Sequence, residues 1–283
     1  MAPKWVLWLE MVLVSSSCCL IASRLLRPIN LTEDIKVVPF VKFFGKGHSS
    51  GAGKGKSSQD SVKVTYGFSL VKGRANHPME DYHVAKCIQI KGQEIGLFAI
   101  FDGHLGDNVA AYLQKHLFAN ILKEEDFWND PGEVISKAYE KTDEAILSHS
   151  SDLGRGGSTA VTAILIDGRK LWIADVGDSR AVLAKGDAPR VNSQLAVSRA
   201  FGDKSLKSHL SSDPDMHHED VTANNDLLIL TSDGLWKVMS NEEAVDIARK
   251  SKDPQAAARL LTMAAVNRVS KDDISCMVVQ GRA

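Results

Sequence analysis

The sequence predicts an α+β fold built from antiparallel β-sheets with helices packed outside them. Eight short apolar runs, most of them four to eight residues long and bounded by Gly, Asp or Ser, have the length and composition of strands. Four longer segments follow a helical pattern of apolar residues. The strands come in groups and do not alternate strictly with helices, which favours antiparallel over parallel sheets.

The individual elements follow from local patterns. The predicted strands are Tyr66–Val71, Tyr82–Ile90, Ile95–Phe101, Ala160–Ile166, Lys170–Val176, Ala181–Ala184, Leu227–Leu230 and Cys276–Val279. The predicted helices are Asn108–Leu122, Pro131–Ser148, a segment from Asn241, and Pro254–Val266. Asp167 and Gly168 stand between two strands and predict a hairpin turn. Ser240, with Glu243 three residues later, predicts a capping box at the third helix.

The composition is that of an ordinary globular protein. Of the 283 residues, 44% are hydrophobic and 24% are charged, with a formal net charge of −1. This length allows one large or two modest domains, and the near-neutral balance argues against a nucleic-acid partner. The four cysteines are too few and too scattered for a disulfide framework or a zinc site. We therefore expect a reducing location, cytoplasmic or nuclear.

Three regions differ in composition. Residues 1–44 include the apolar stretch 5–22, which is a candidate membrane anchor, cleaved signal or amphipathic helix. Glu10 and three serines weaken a spanning helix, and the basic residues that follow would keep the main body of an anchored protein cytosolic. Residues 45–63 have the Gly/Ser/Lys-rich composition of a linker. Residues 64–283 form the globular domain, which we expect to be monomeric.

Acidic residues stand at five strand boundaries. The apolar run Leu97–Phe101 stops at Asp102, and a carboxylate at the mouth of a buried strand is costly unless a cation or a donor meets it. A metal ion would balance the charge of this carboxylate, and so would the N-terminus of the helix that begins at Asn108. The other boundaries contain Glu80, Asp81, Asp175, Asp178, Asp233, Asp272 and Asp273.

Taken singly, each acidic boundary has an ordinary explanation as a turn or a helix cap. Five together could converge on one sheet edge, and oxygen-only ligands suit Mg²⁺ or Mn²⁺. So many carboxylates predict two ions that share a bridging aspartate and activate a water for attack on phosphorus. His104 is then a candidate acid for the leaving oxygen, and Arg74 is a candidate phosphate ligand. Taken alone, His104 and Arg74 would each be interpreted as an ordinary surface residue.

These motifs, in this order, resemble the metal-dependent serine/threonine protein phosphatases of the 2C type, most closely the plant members. The matching stretches are Met79-Glu-Asp81, Phe101-Asp-Gly-His104, Gly156-Gly-Ser-Thr-Ala160, Val176-Gly-Asp-Ser-Arg180, Leu195-Ala-Val-Ser-Arg-Ala-Phe-Gly-Asp203, Ser232-Asp-Gly-Leu-Trp236 and Asp272-Asp-Ile-Ser275. Any one motif is weak, but the ordered set is specific. The resemblance implies a sandwich of two antiparallel sheets flanked by pairs of helices. It also implies hydrolysis of phosphoserine and phosphothreonine in proteins.

The resemblance further implies roles by position. The implied ligands of two Mg²⁺ or Mn²⁺ ions are Glu80, Asp81, Asp102, Gly103, Asp233 and Asp272, with Asp178 at a third, weaker site. Asp102 would bridge the two ions, and the carbonyl of Gly103 would bind one of them. His104 would be the general acid, and Arg74 would hold the substrate phosphate. No covalent phosphoenzyme is expected, because the nucleophile would be a metal-activated water.

Three departures from the family pattern matter. The spacing between Met79 and the basic residue upstream is longer than usual, which weakens the assignment of Arg74. Lys237 stands where many members have an aspartate that supports the third metal. Lys185 runs straight into Gly186, where family members carry a strand, an Asp-His-x-Pro segment, a helix and a Gly-Gly-containing strand. We therefore expect an internal deletion near 185–186 and a domain of reduced stability.

Two functions compete at this point. The first is metal-dependent hydrolysis of phosphoproteins, which the complete acidic set favours. The second is a non-catalytic or weakly active phosphatase-like module that binds phosphoproteins or partners, which the missing segment favours.

Overall fold

Two large antiparallel β-sheets lie face to face in this computed structural model, which describes residues 50–57, 63–186, 188–191, 199–222 and 225–282. The six-stranded sheet has the order β1 (Gly51–Lys56), β2 (Lys63–Val71), β14 (Ile274–Arg282), β13 (Asn225–Thr231), β9 (Arg180–Lys185) and β10 (Ala188–Val191). The five-stranded sheet has the order β12 (Asp215–Asp220), β8 (Lys170–Val176), β7 (Ala160–Ile166), β4 (Gln93–Phe101) and β3 (Tyr82–Ile90).

The remaining elements are helices and one small sheet. The small sheet has three two-residue strands in the order β11 (Phe201–Gly202), β6 (Gly157–Ser158) and β5 (Gly103–His104). The α-helices are α1 (Asn108–Leu122), α2 (Pro131–Ser148), α3 (Ser150–Leu153), α4 (Asp233–Trp236), α5 (Asn241–Ala248) and α6 (Pro254–Asn267), and Glu125–Trp128 form a 3₁₀ helix. Among the helices of the described residues, none combines the length and apolar character needed to cross a membrane.

The core between the two sheets is built by alternate residues of their strands. In β4, Phe98 and Ile100 belong to the cluster shared with the six-stranded sheet, which supplies Leu230 and Met277. The intervening Leu97 belongs to a second cluster, on the outer face of the five-stranded sheet. Because β4 is buried on both faces, its sequence is one continuous apolar run and not an alternating pattern.

Helices cover the outer face of each sheet. Helices α1 and α2 pack on the five-stranded sheet, and α4, α5 and α6 pack on the six-stranded sheet. The predicted bounds of α1 and α2 are confirmed, and so is the capping box of α5, in which Ser240 Oγ accepts from the backbone N–H of Glu243. The predicted α+β sandwich of two antiparallel sheets flanked by helices is therefore confirmed.

The linker predicted across residues 45–63 is wrong for Gly51–Lys56, which form the edge strand β1 beside β2. Glycine usually weakens a strand, but here the glycines make room for aromatic rings of β2. A Cβ atom on Gly53 would lie 2.6 Å from Cζ of Phe68, and one on Gly55 would overlap the ring of Tyr66. Composition alone does not reveal this tertiary contact. Residues 45–49 and 58–62, and the candidate membrane segment 5–22, lie outside the described residues.

The expected deletion falls at the turn between β9 and β10. Lys185 pairs with Ala188, and Gly186 has a φ of 56°. Glycine adopts such a positive φ without a steric penalty, so the chain reverses directly here. Strand β10, which sequence analysis did not predict, then forms the outermost strand of the six-stranded sheet.

Candidate active site

Five aspartates are supplied by strand ends of the two large sheets. Asp81 precedes β3 and Asp102 follows β4, both in the five-stranded sheet. Asp233 follows β13 and begins α4, and Asp272 precedes β14, both in the six-stranded sheet. Asp178 lies in the connection from β8 to β9, which crosses from one sheet to the other. The fold thus gives each predicted carboxylate a position at the end of a core strand.

Asp102 is the electrostatic centre of this group. Burial is the main cause that raises the pKa of Asp102 well above its ordinary value. The negative charges of Asp81, Asp233, Asp178 and Asp272 raise it further, in that order. The structure therefore brings all five carboxylates close enough to repel one another, as the sequence-based hypothesis required.

Asp81 is nearly inaccessible, with 4% of its surface exposed. Its Oδ2 accepts a hydrogen bond of 2.6 Å from Ser275 Oγ, whereas its buried Oδ1 has no partner among the described residues. Burial raises the pKa of Asp81 to about 7, the hydrogen bond from Ser275 opposes this, and the charge of Asp273 adds to it. A buried carboxylate with an unpaired oxygen is costly unless a cation meets it.

A lysine joins two of the carboxylates. Lys237 Nζ lies 2.6 Å from Asp233 Oδ2 and 2.8 Å from Asp272 Oδ2. Partial burial disfavours the ammonium form, but the hydrogen bonds to Asp233 and Asp272 outweigh it and raise the pKa of Lys237. Burial raises the pKa of Asp233 to about 6, the hydrogen bond from Lys237 lowers it, and Asp178 raises it. Oδ1 of Asp233 is buried and has no partner among the described residues.

Glu80 and Gly103 lie against each other beside Asp102. A Cβ atom on Gly103 would come within 2.7 Å of the Glu80 carbonyl oxygen, so only glycine fits this close approach. The backbone N–H of Gly106 donates to Glu80 Oε1 at 2.9 Å. Glu80 is thus held at the same strand end as Asp102, at the edge of the small sheet.

Asp273 organises the neighbouring loop, and sequence analysis assigned it no role of its own. Its Oδ1 accepts from the backbone N–H of Gly73 at 2.7 Å, and its Oδ2 accepts from that of Glu80 at 2.9 Å. The backbone N–H of Arg74 donates to the carbonyl of Lys271 at 2.9 Å. The loop that carries Arg74 is therefore tied next to Asp272, while the Arg74 side chain is exposed. The sequence signal that could have identified Asp273 is its position as the second of two consecutive aspartates before a buried strand.

His104 has a partner that sequence analysis did not assign. Its Nε2 donates to Asp203 Oδ2 at 2.7 Å. The two residues are far apart in sequence and meet because β5 and β11 both pair with β6. Asp203 ends one of the family-like motifs, but its partner follows only from the pairing of these short strands.

The carboxylates of this site suit a divalent cation in their chemistry. No group of three or more His, Cys, Asp or Glu side chains in the described part of the chain is gathered tightly enough to hold an ion as it stands. Two buried oxygens, Asp81 Oδ1 and Asp233 Oδ1, nevertheless lack partners among those residues. An oxygen-only set of mutually repelling carboxylates is the donor set that Mg²⁺ and Mn²⁺ prefer, so the residues fit such an ion.

Solved structures share this fold. A serine-threonine phosphatase 2C from Toxoplasma gondii matches with a TM-score of 0.66 and 19% identity, over 81% of this chain and 99% of that chain. A sex determining protein of C. elegans matches with a TM-score of 0.64 and 20% identity, over 83% of this chain and 66% of that chain. The sandwich is therefore that of the phosphatase 2C class.

Sequence comparison identifies the family. The protein phosphatase 2C family model matches residues 66–190 and 186–274. "Probable protein phosphatase 2C 9" of Arabidopsis thaliana is 62% identical over 265 residues, covering 83% of this chain and 94% of the relative. "Probable protein phosphatase 2C 41" of Oryza sativa subsp. japonica is 60% identical over 268 residues, covering 83% and 94%. This chain belongs to the protein phosphatase 2C family as a plant-type member, and it is a protein serine/threonine phosphatase that acts on phosphorylated proteins.

The alignments also bear on the expected deletion. The family match consists of two parts, residues 66–190 and 186–274, which overlap just after Lys185. The 265 positions aligned with the Arabidopsis relative outnumber the residues in the 83% of this 283-residue chain that they cover. The relative therefore carries residues inside the aligned region that this chain lacks.

Proposed function

We propose that this phosphatase hydrolyses phosphoserine and phosphothreonine with the help of two Mg²⁺ or Mn²⁺ ions held by the carboxylates around Asp102. Members of the family generally depend on these metals. The observation that carries the proposal is the convergence of four aspartates on Asp102, whose pKa is raised by burial and by their negative charges. Divalent cations would remove this repulsion and fill the unpaired positions at Asp81 and Asp233.

The residues have separate roles in this proposal. The residues that would hold the ions are Glu80, Asp81, Asp102, Gly103, Asp233 and Asp272, with Asp178 at a weaker third site. Asp102 would be the ligand that both ions share, as the family resemblance implies, and the charges of the other four aspartates all act on it. Lys237 stands against Asp233 and Asp272, which disfavours a further cation on that side.

The chain's own groups would handle the substrate. Bound cations supply an activated water and offset the charge of the phosphoryl oxygens. Arg74, whose side chain is exposed on a loop held by Asp273, would pair with the phosphate through its guanidinium. His104 would pass a proton to the seryl or threonyl oxygen as the ester P–O bond breaks, so that the alcohol leaves neutral.

A metal-dependent hydrolysis assay tests this proposal. The protein, freed of metal with chelator, is assayed with p-nitrophenyl phosphate and a phosphothreonine peptide over a Mn²⁺ titration. We expect turnover that saturates with metal and that Asp102→Asn abolishes, because Asn removes the proposed bridging charge. No turnover above that of the variant at saturating metal would leave the non-catalytic binding module as the function.

We also propose that the protein acts as a monomer in the cytoplasm or nucleus, with a membrane-anchored form as the alternative. Support comes only from the cysteine content, the near-neutral charge and the apolar stretch 5–22. Fractionation of cells that express the tagged full chain distinguishes the two. A sedimenting protein that detergent releases and that becomes soluble without residues 5–22 would establish the anchor.

A further inference from the structure

The small three-stranded sheet brings a buried carboxylate to the candidate general acid. In this sheet, Gly103 pairs with Ser158 and His104 with Gly157, while Phe201 and Gly202 pair with the other edge of the same strand. His104 Nε2 and Asp203 Oδ2 are 2.7 Å apart across it. The Asp203 side chain is 7% exposed, whereas that of His104 is 41% exposed. The pair therefore has a buried end at the aspartate and an open end at the histidine.

The backbone at Asp203 is held in a conformation that few residues adopt. Asp203 has a φ of 49°, and Gly202 before it has a φ of 75°. A positive φ is uncommon outside glycine, although aspartate and asparagine tolerate it best. The N–H of Asp203 donates to the carbonyl of Gly156 at 3.2 Å. Strain of this kind persists only where the surrounding contacts enforce it.

An ion pair between a buried aspartate and a partly buried lysine contacts this turn. Asp143, on α2, is 3% exposed, and its Oδ1 accepts from the backbone N–H of Gly202 at 2.8 Å. Its Oδ2 lies 2.6 Å from Lys207 Nζ, which also donates to the carbonyl of Ala200. The turn that carries Asp203 is thus held by Asp143 at the N–H of Gly202 and by Lys207 at the carbonyl of Ala200.

Gly157 makes room for the carboxylate. A Cβ atom at this position would overlap Asp203 Oδ2 and would come within 2.6 Å of the Phe201 carbonyl. The strand between the two partners therefore has no side chain where Asp203 reaches across to His104. The backbone turn, the ion pair that holds it and the space at Gly157 together permit the contact between Asp203 and His104.

We propose that Asp203 is a positioning residue for His104, an inference that rests on the proposed phosphoester hydrolysis. By accepting from Nε2, Asp203 fixes the rotation of the imidazole and leaves Nδ1 as the nitrogen that faces the substrate. When the water oxygen bonds to phosphorus and the ester P–O bond breaks, the Nδ1 proton passes to the departing oxygen. The ring is then the neutral tautomer whose remaining proton, on Nε2, is the one held by Asp203.

The competing explanation is a purely structural role, in which Asp203 only completes the turn. The leaving group of the substrate distinguishes a positioning role from a purely structural one. p-Nitrophenolate leaves without a proton, whereas a threonyl oxygen must receive one, so only the peptide depends strongly on an oriented acid. General acids contribute about 10²- to 10⁴-fold to such steps. A structural defect would lower both activities in the same proportion.

The experiment compares the wild type, Asp203→Asn, His104→Gln and the double variant on the two substrates at saturating Mn²⁺. We expect Asp203→Asn to lose at least about tenfold more kcat on the phosphothreonine peptide than on p-nitrophenyl phosphate. We expect the double variant to match His104→Gln, since a positioning residue has no effect once its target is absent. Lys204→Gln, an exposed neighbour that bonds Ser150, is the matched control and should leave the substrate ratio unchanged.

The remaining outcomes distinguish a positioning role for Asp203 from a structural one. If Asp203→Asn does not fold, Asp203→Gly removes the carboxylate while tolerating the positive φ, and it should show the same substrate ratio. Equal losses on both substrates, or fully additive losses in the double variant, would overturn the positioning role. A wild type with no metal-dependent turnover would instead refute the proposed function, and the positioning role would fall with it.

Discussion

Lys237 Nζ lies 2.6 Å from Asp233 Oδ2, so a cation belonging to the chain itself occupies the edge of the carboxylate cluster. The same ammonium lies 2.8 Å from Asp272. A metal ion that approaches these two carboxylates must compete with it. The lysine thus links the stability of the metal-free protein to its affinity for metal.

Replacing Lys237 with Gln should tighten metal binding and weaken the metal-free fold. The ammonium no longer competes for Asp233 and Asp272, and the two carboxylates then repel each other without a counter-charge. Because Lys237 is about half exposed, we expect a modest gain of about three- to tenfold in Mn²⁺ affinity. Isothermal titration calorimetry measures the affinity, and urea unfolding in chelator measures the stability.

Lys271→Gln is the matched control for Lys237. It removes one exposed positive charge beside Asp272 without removing a contact between an ammonium and Asp233. If both variants changed the Mn²⁺ affinity equally, the effect would be one of net charge and not of direct competition.

The metal-free protein should lose stability as the pH rises from about 4 to about 7, and Asp81 should contribute to this loss. Burial raises the pKa of Asp81 to about 7 in the folded state, from 3.8. In this interval the unfolded chain has released the proton and the folded chain still binds it, so the free energy of unfolding falls with pH. Urea midpoints at pH 5.0 and pH 7.5 in chelator measure the loss.

Asp81→Asn isolates this contribution. Asn cannot ionise and can still accept the hydrogen bond from Ser275, so the variant should show a smaller difference between the two midpoints than the wild type does. A wild type and a variant with the same pH dependence would show that Asp81 does not carry the effect.

Asp273→Ala should destabilise the protein and loosen the loop that carries Arg74. The variant leaves the backbone N–H groups of Gly73 and Glu80 without their acceptor, at a cost of about 1–3 kcal/mol for a buried site. We also expect a higher KM for the phosphothreonine peptide, because Arg74 is no longer held next to Asp272. Asp220→Ala, at a largely exposed aspartate, serves as the control. An unchanged urea midpoint and KM would argue that other contacts hold the loop.

Inserting the segment that the family resemblance predicts between Lys185 and Gly186 should raise stability. The added strand and helix would bury apolar surface and would cover the edge of the six-stranded sheet that now ends at β10. Urea unfolding of this chain and of the variant with the inserted segment, in the same metal concentration, makes the comparison. Equal midpoints would show that the shortened sheet edge costs nothing.

The elements that the sequence predicted well are those whose signal is local. Helices Asn108–Leu122 and Pro131–Ser148 have the predicted bounds, since their apolar periodicity and flanking residues lie within a single segment. The buried strand that ends at Phe101, just before Asp102, was predicted because both of its faces are apolar. Strand Gly51–Lys56 was missed, because the glycines that suggest a linker are favoured there by aromatic rings of another strand.

The sequence by itself determined the sandwich, the family and the five acidic strand ends, because each of these lies in a periodic pattern or a short motif. Only the tertiary structure decided which groups meet: Lys237 with Asp272, Asp273 with the Arg74 loop, and Asp203 with His104. Each of these pairs joins residues on separate elements that are far apart in the chain. Their contacts depend on strand pairing and burial, which arise only when the whole chain has packed.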